Sequence, residues 1–152
     1  MPVLGVFSQG SAAKLYIPVT NVEASSLTLG YAVALRIDGA SFNGNNAVMA
    51  DSDNAVDLPG FIGVAAADIA SNGRGLVQCW GFAASVYLSN TNTSVTHTQG
   101  DPLVPGARAG GLKSAAPTWA NSGMKFILIS NVPVTLSNAI VDSYASGLVR
   151  CL

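Results

Sequence analysis

The stretch from Gly60 to Gly106 constrains the fold most, because two long apolar runs meet there across an Asn-Gly step. Gly60 to Ala70 and Leu76 to Leu88 flank the turn Ser71-Asn72-Gly73-Arg74-Gly75. Both central residues of a type I′ turn need positive φ, which Asn and Gly adopt at least cost, so the step predicts a β-hairpin with Asn72-Gly73 at its tip. Short apolar runs separated by Gly, Pro, Asn and Ser recur along the chain, and no long stretch keeps a helical period. The pattern predicts an all-β fold, a small barrel or sandwich.

The remaining strands follow from the same signals. Leu27, Leu29, Tyr31, Val33, Leu35 and Ile37 alternate with Thr28, Gly30, Ala32, Ala34 and Arg36, which predicts one strand over 26–37 with a single buried face. Asp38-Gly39 and Phe42 to Asn46 read as turns before a short strand from Ala47 to Ala50. Met124 to Ser130, Val132 to Leu136 and Tyr144 to Leu152 read as further strands, whereas Ser89 to Gln99 reads as an exposed polar loop and Gly106 to Ala116 as a further loop. Residues 1–25 read as an extended N-terminal arm and 26–152 as a single all-β domain. Within the arm, Lys14 to Thr20 carries Pro18, which cannot donate to a central ladder. That suits an edge strand, or an arm that adds a strand to a neighbouring subunit through Leu15, Tyr16, Ile17 and Val19.

Composition raises the question of what covers the surface. Of the 152 residues 10% are charged and 49% hydrophobic, and mean hydropathy is +0.42, so little of the chain is suited to face water. No run approaches the 18 or so apolar residues of a membrane-spanning helix. The first basic residue is Lys14, so the start lacks the basic-then-apolar order of a secretory signal, and synthesis in a cytoplasm is expected. Burial against other subunits is the better account: a compact 15.4 kDa chain exposes about 7,200 Å², of which three ordinary interfaces would hide about a third. Net charge is −1 and the seven Lys and Arg are scattered, which argues against direct nucleic-acid binding. Cys79 and Cys151 fit neither a disulfide framework nor a zinc site and are expected to be free thiols.

Residues suited to catalysis are sparse: one His, one Glu and seven Asp. His97 lies in a Thr-rich segment and reads as an exposed loop residue, and no Gly-x-Ser-x-Gly elbow accompanies the serines. The acidic loop Asp51 to Asp57 has Val56 and Ile62 where a calcium-binding EF-hand needs Gly and Glu, so no metal is expected there. Gly106 to Gly111 lacks the Gly-Lys-Ser/Thr ending of a phosphate cradle, and Asn92-Thr93-Ser94 matches a glycosylation acceptor only formally. Trp80 and Trp119 suit a core or a subunit interface better than a stacking platform. These features predict no enzyme, no cofactor and no catalytic residues.

The order Gly63-Val64-Ala65, Asp68-Ile69-Ala70, Val77 to Tyr87 with Gly81 inside it, and Gly100-Asp101-Pro102-Leu103 resembles the capsid decoration, or cement, proteins of tailed bacteriophages. The likeness spans about residues 28 to 107. It implies a small β-tulip-like barrel without an active site, bound as a homo-oligomer, usually a trimer, to the major capsid protein on the virion surface. There it would stabilise an assembled shell against internal pressure. Leu15, Tyr16, Ile17 and Val19 are the expected contacts with the capsid or with neighbouring subunits. A fibre or receptor-binding head, acting through Ser89 to Gln99 and Gly106 to Trp119, is the alternative expectation.

Overall fold

A computed structural model describes residues 13–37, 44–51, 60–89, 95–106, 109–114, 126–129, 134–136 and 142–151. Its regular elements are eleven strands: β1 Leu15–Asn21, β2 Ala32–Leu35, β3 Asn46–Met49, β4 Phe61–Ala65, β5 Arg74–Ser89, β6 Val95–His97, β7 Pro102–Pro105, β8 Leu112–Ser114, β9 Phe126–Ile129, β10 Val134–Leu136 and β11 Asp142–Arg150. The all-β expectation holds.

The sixteen residues of β5 organise everything else. At about 3.3 Å per residue the strand spans roughly 50 Å, long enough to serve two rings of strands at once. Its first half closes a five-stranded barrel in the order β1-β3-β2-β4-β5 and back to β1, all pairs antiparallel except β1 with β3. Its second half continues into β11, β9, β7 and β8, and the parallel pair Leu88↔Leu112 returns that series to β5. The ribbon β6-β10 is a separate two-stranded sheet whose Leu136 packs into the second core.

A strand this long has to bend, and the bends sit where its side chains are small. Against β1 the register jumps from Tyr16↔Gln78 to Leu15↔Trp80, so Cys79 is an extra residue whose thiol donates to the Leu15 carbonyl at 3.3 Å. Gly81 follows at φ +93°. Against β11 a second shift, from Ala145↔Val86 to Gly147↔Ala83, falls at Ala84-Ser85. Extra residues of this kind kink a strand and increase its twist, which carries β5 from one ring to the next.

Two apolar cores result. Val19, Leu27, Val33, Ala47, Ile62, Ala65, Ile69 and Val77 fill the closed barrel. A second core joins the outer faces of β2, β3 and β4, through Ala32, Ala34, Val48, Phe61 and Val64, to residues such as Val86, Leu103, Leu112, Ile127 and Val149. This corrects the strand expected over 26–37. Only Ala32–Leu35 is a strand, and Ala32, Val33 and Ala34 are all buried because β2 lies between the two cores. Ahead of it Gly30 turns at φ +83°, Leu29 is exposed, and Leu27 makes an isolated antiparallel bridge to Ile69.

The hairpin between β4 and β5 forms as expected, in the register Ala65↔Val77, but its tip differs. The turn runs Ala70-Ser71-Asn72-Gly73, closed by Gly73 N–H donating to Ala70 O at 2.8 Å. Asn72 alone is left-handed, at φ +56°. One positive φ at the third turn position is the type II pattern, not type I′. Buried Asn21 ties this turn to β1: its Nδ2 donates to Ser25 O and Ile69 O, and its Oδ1 accepts from Glu23 N–H.

The arm and the polar loop are also corrected in part. Leu15–Asn21 is a strand of its own chain's barrel, paired along β5 from Leu15↔Trp80 to Thr20↔Arg74, so it is not held free for a neighbour's sheet. Ser89 to Gln99 is not one exposed loop: β5 runs to Ser89, and β6 pairs with β10 through His97↔Val134. His97 is fully buried, contrary to its expected exposure. Residues 1–12, the acidic loop beyond Asp51, Asn92-Thr93-Ser94, Arg108 and Trp119 lie outside the described residues.

Candidate contact surface

The outward face of β5 and its two neighbours carries the surface feature that most needs a function. Side chains directly opposite one another in antiparallel strands share a face. The pairs Leu15↔Trp80 and Leu148↔Phe82 therefore share one face across β1, β5 and β11, whereas Tyr16↔Gln78 and Pro18↔Leu76 lie on the opposite face, because the extra residue Cys79 separates the two registers and Leu15 and Tyr16 are adjacent on β1. Leu15, Trp80, Phe82 and Leu148 are each 38% to 49% exposed. Four side chains of this size leave on the order of 300 Å² of apolar surface open, within the range of the largest patch on an ordinary monomer. Singly exposed hydrophobics need no explanation, whereas a contiguous row does.

Its charges are of one sign. Arg150 stands opposite Trp80, with its guanidinium carbon 5.7 Å from the ring centroid. Lys14 precedes Leu15. A row of hydrophobics edged by cations favours a neutral or acidic partner and disfavours a basic one.

The four contact residues expected from sequence divide between surface and core. Leu15 stands in the row, and Tyr16 is exposed on the opposite face. Ile17 is half-buried against the barrel core, and Val19, 3% exposed, is part of it, so Val19 is not available to a partner. The sequence reading missed Phe82, Leu148 and Arg150, and it placed Trp80 in a core or an interface without deciding between them. Alternation was the missed signal, but only past Cys79: Trp80, Phe82 and Ala84 are exposed with Gly81 and Ala83 buried between them, whereas Val77, Gln78 and Cys79 are buried in succession.

The histidine and its aspartate lie elsewhere. His97 is enclosed in β6, where burial pushes its pKa below the usual value while the nearby Asp101 carboxylate pulls it back up. Asp101 accepts from Thr98 N–H at 2.7 Å and Thr98 Oγ1 at 2.8 Å, closing the turn Thr98-Gln99-Gly100-Asp101 with Gly100 at φ +87°. Cys79 and Cys151 are buried and form no disulfide, and Cys151 N–H donates to Cys79 O at 3.0 Å. Tyr31 stacks on Tyr87 at 4.6 Å, and Tyr144 tilts against Tyr87 at 5.5 Å. An open cleft of about 230 Å³ lies among Pro18, Val19, Thr20, Asn45 and Arg74. Among the described residues, no three His, Cys, Asp or Glu side chains gather as a metal site requires. Comparison with protein-family models, with curated proteins and with solved structures gives no match to this chain.

Proposed function

We propose that this protein is a structural assembly subunit whose work is done by the apolar row on β1, β5 and β11, and that it serves as a decoration protein on the outside of a tailed-phage capsid. The observation that carries the reading is that row: large side chains left open on a rigid, doubly braced strand, in a chain with 10% charged residues. Burying about 300 Å² of apolar area is worth on the order of 8 kcal/mol gross, enough to offset part of the entropy of association. The resemblance of Gly63-Val64-Ala65 and Gly100-Asp101-Pro102-Leu103 to the decoration family supports reading the assembly as a capsid. The partners are then the major capsid protein and further copies of this chain, as a trimer, with no chemistry performed. Many such contacts on one shell act together, so modest affinity per subunit suffices to raise the shell's resistance to heat.

Co-sedimentation with emptied capsids tests this. The wild-type chain should pellet with shells and raise the temperature at which they open. Trp80→Ser with Phe82→Ser should stay in the supernatant while keeping the wild-type far-ultraviolet dichroism. A wild-type protein that never pellets with shells would overturn the shell assignment, and full binding by the double variant would overturn the role of the row.

A further inference from the structure

The two cysteines meet across the sheet, although some 70 positions separate them in the chain. Between β11 and β5 the register runs unbroken from Gly147↔Ala83 to Arg150↔Trp80, so the next residues to face one another are Cys151 and Cys79. The bond from Cys151 N–H to Cys79 O, at 3.0 Å, shows that this step of the ladder forms. The shift at Cys79 concerns the other edge of β5, toward β1. Directly opposite residues of antiparallel strands share a face, and these two are buried, at 0% and 1% exposure.

That placement brings the sulfurs within bonding reach. Hydrogen-bonded antiparallel partners have Cα atoms about 5.5 Å apart, inside the range of about 4.4 to 6.8 Å that disulfides span. Their Cβ atoms start about 5 Å apart and a disulfide holds them near about 4 Å, so the strands must draw together by about 1 Å. Cys151 lies just past the last residue of β11, and the end of a strand gives more readily than its middle. The Cys79 sulfur, 3.3 Å from Leu15 O on the β1 side, must turn about its Cα–Cβ bond toward β11. A disulfide made against both costs is strained, and strained disulfides are the readily reduced ones.

We propose that Cys79 and Cys151 form a reversible cross-strand disulfide, with a low-molecular-weight disulfide such as oxidised glutathione as the oxidant. The Cys151 thiolate attacks one sulfur of that oxidant and expels a glutathione thiolate. The Cys79 thiolate then attacks the Cys151 sulfur of the mixed disulfide and expels the second. Both thiol protons and two electrons pass from the protein to the two glutathione molecules. Oxidised Cys79 has no S–H to donate, so the Leu15 carbonyl, where the β1-β5 pairing ends, loses that bond. The inference rests on the β5-β11 register and is independent of the contact surface and the shell assignment.

Thiol mapping of the full wild-type chain tests it. Folded protein is equilibrated with reduced and oxidised glutathione at about pH 8, then denatured, alkylated with iodoacetamide and digested with trypsin. The intact mass should fall by about 2 Da, as expected for loss of two hydrogens, with neither cysteine alkylated. Peptide 75–108 should appear joined to Cys151-Leu152, and dithiothreitol should part them. At equal glutathione ratio the oxidised fraction, expressed as an equilibrium constant, should be at least about tenfold higher in the folded chain than in urea-unfolded chain, because the fold raises the effective concentration of one thiol at the other. Glutathione adducts without the joined peptide, disulfides between two chains, thiols that stay reduced, or equal constants in folded and unfolded protein would each overturn the proposal.

Discussion

The guanidinium carbon of Arg150 lies 5.7 Å from the centroid of the Trp80 ring, held there by the β5-β11 register that sets the two residues opposite each other. An exposed cation over an indole contributes about 0.5 to 1 kcal/mol. Arg150→Gln should therefore lower stability by that amount, read as a shift in urea midpoint at unchanged slope. A changed slope would instead place Arg150 in the cohesion of the barrel.

Two phenylalanines measure the difference between core and row. Phe61 is 1% exposed in the second core, whereas Phe82 is 40% exposed. Truncating a buried ring forfeits its transfer energy and leaves a cavity, so Phe61→Ala should cost about 3 to 5 kcal/mol. Phe82→Ala should cost less than about 1 kcal/mol, in keeping with a surface position, yet weaken association. Equal losses in urea denaturation would contradict this division.

Two glycines test the closure of the barrel. Gly63 sits at φ +144°, and a Cβ there would lie 2.0 Å from the Gln78 carbonyl oxygen of the paired strand. Gly63→Ala must push β4 off β5, so it is expected to abolish the native near-ultraviolet dichroism. Gly44 also has positive φ, +74°, but faces open space. Gly44→Ala should bear only the conformational strain, about 1 kcal/mol, and fold normally.

These positions also show what the chain disclosed in advance. The β4-β5 hairpin was legible because Asn72 and Gly73 announce a turn locally, although the turn type was not, since it depends on where β5 picks up its partners. The 26–37 strand misled for a physical reason. Period-two reasoning assumes one wet face, and β2 has a core on each side, so Ala32 and Ala34 are as buried as Val33. His97 looked exposed because its neighbours are polar, yet burial there follows from the β6-β10 pairing between residues some 40 positions apart. Of the candidate surface Leu15 was readable. The rest required knowing that β11 returns beside Trp80, a long-range pairing that local pattern does not encode.

The last prediction follows from His97. Burial lowers its pKa from 6.5, with the Asp101 carboxylate opposing the shift, so the folded chain holds this proton less tightly than the unfolded chain does. Stability therefore rises with pH wherever the unfolded state binds more protons. The full contribution is present above about pH 6.5, the value of the unfolded imidazole, and is lost as pH falls below it toward the depressed folded value. Urea midpoints measured from pH 8 to pH 5.5 should fall across that window in the wild type, and the fall should be shallower in His97→Gln, whatever that variant's stability at pH 8. Asp101→Asn removes the charge that helps hold the proton in the folded state, so it should steepen the fall and lower the plateau through the lost Thr98 hydrogen bonds. Identical pH profiles for the wild type and His97→Gln would show that the imidazole does not govern stability in this range.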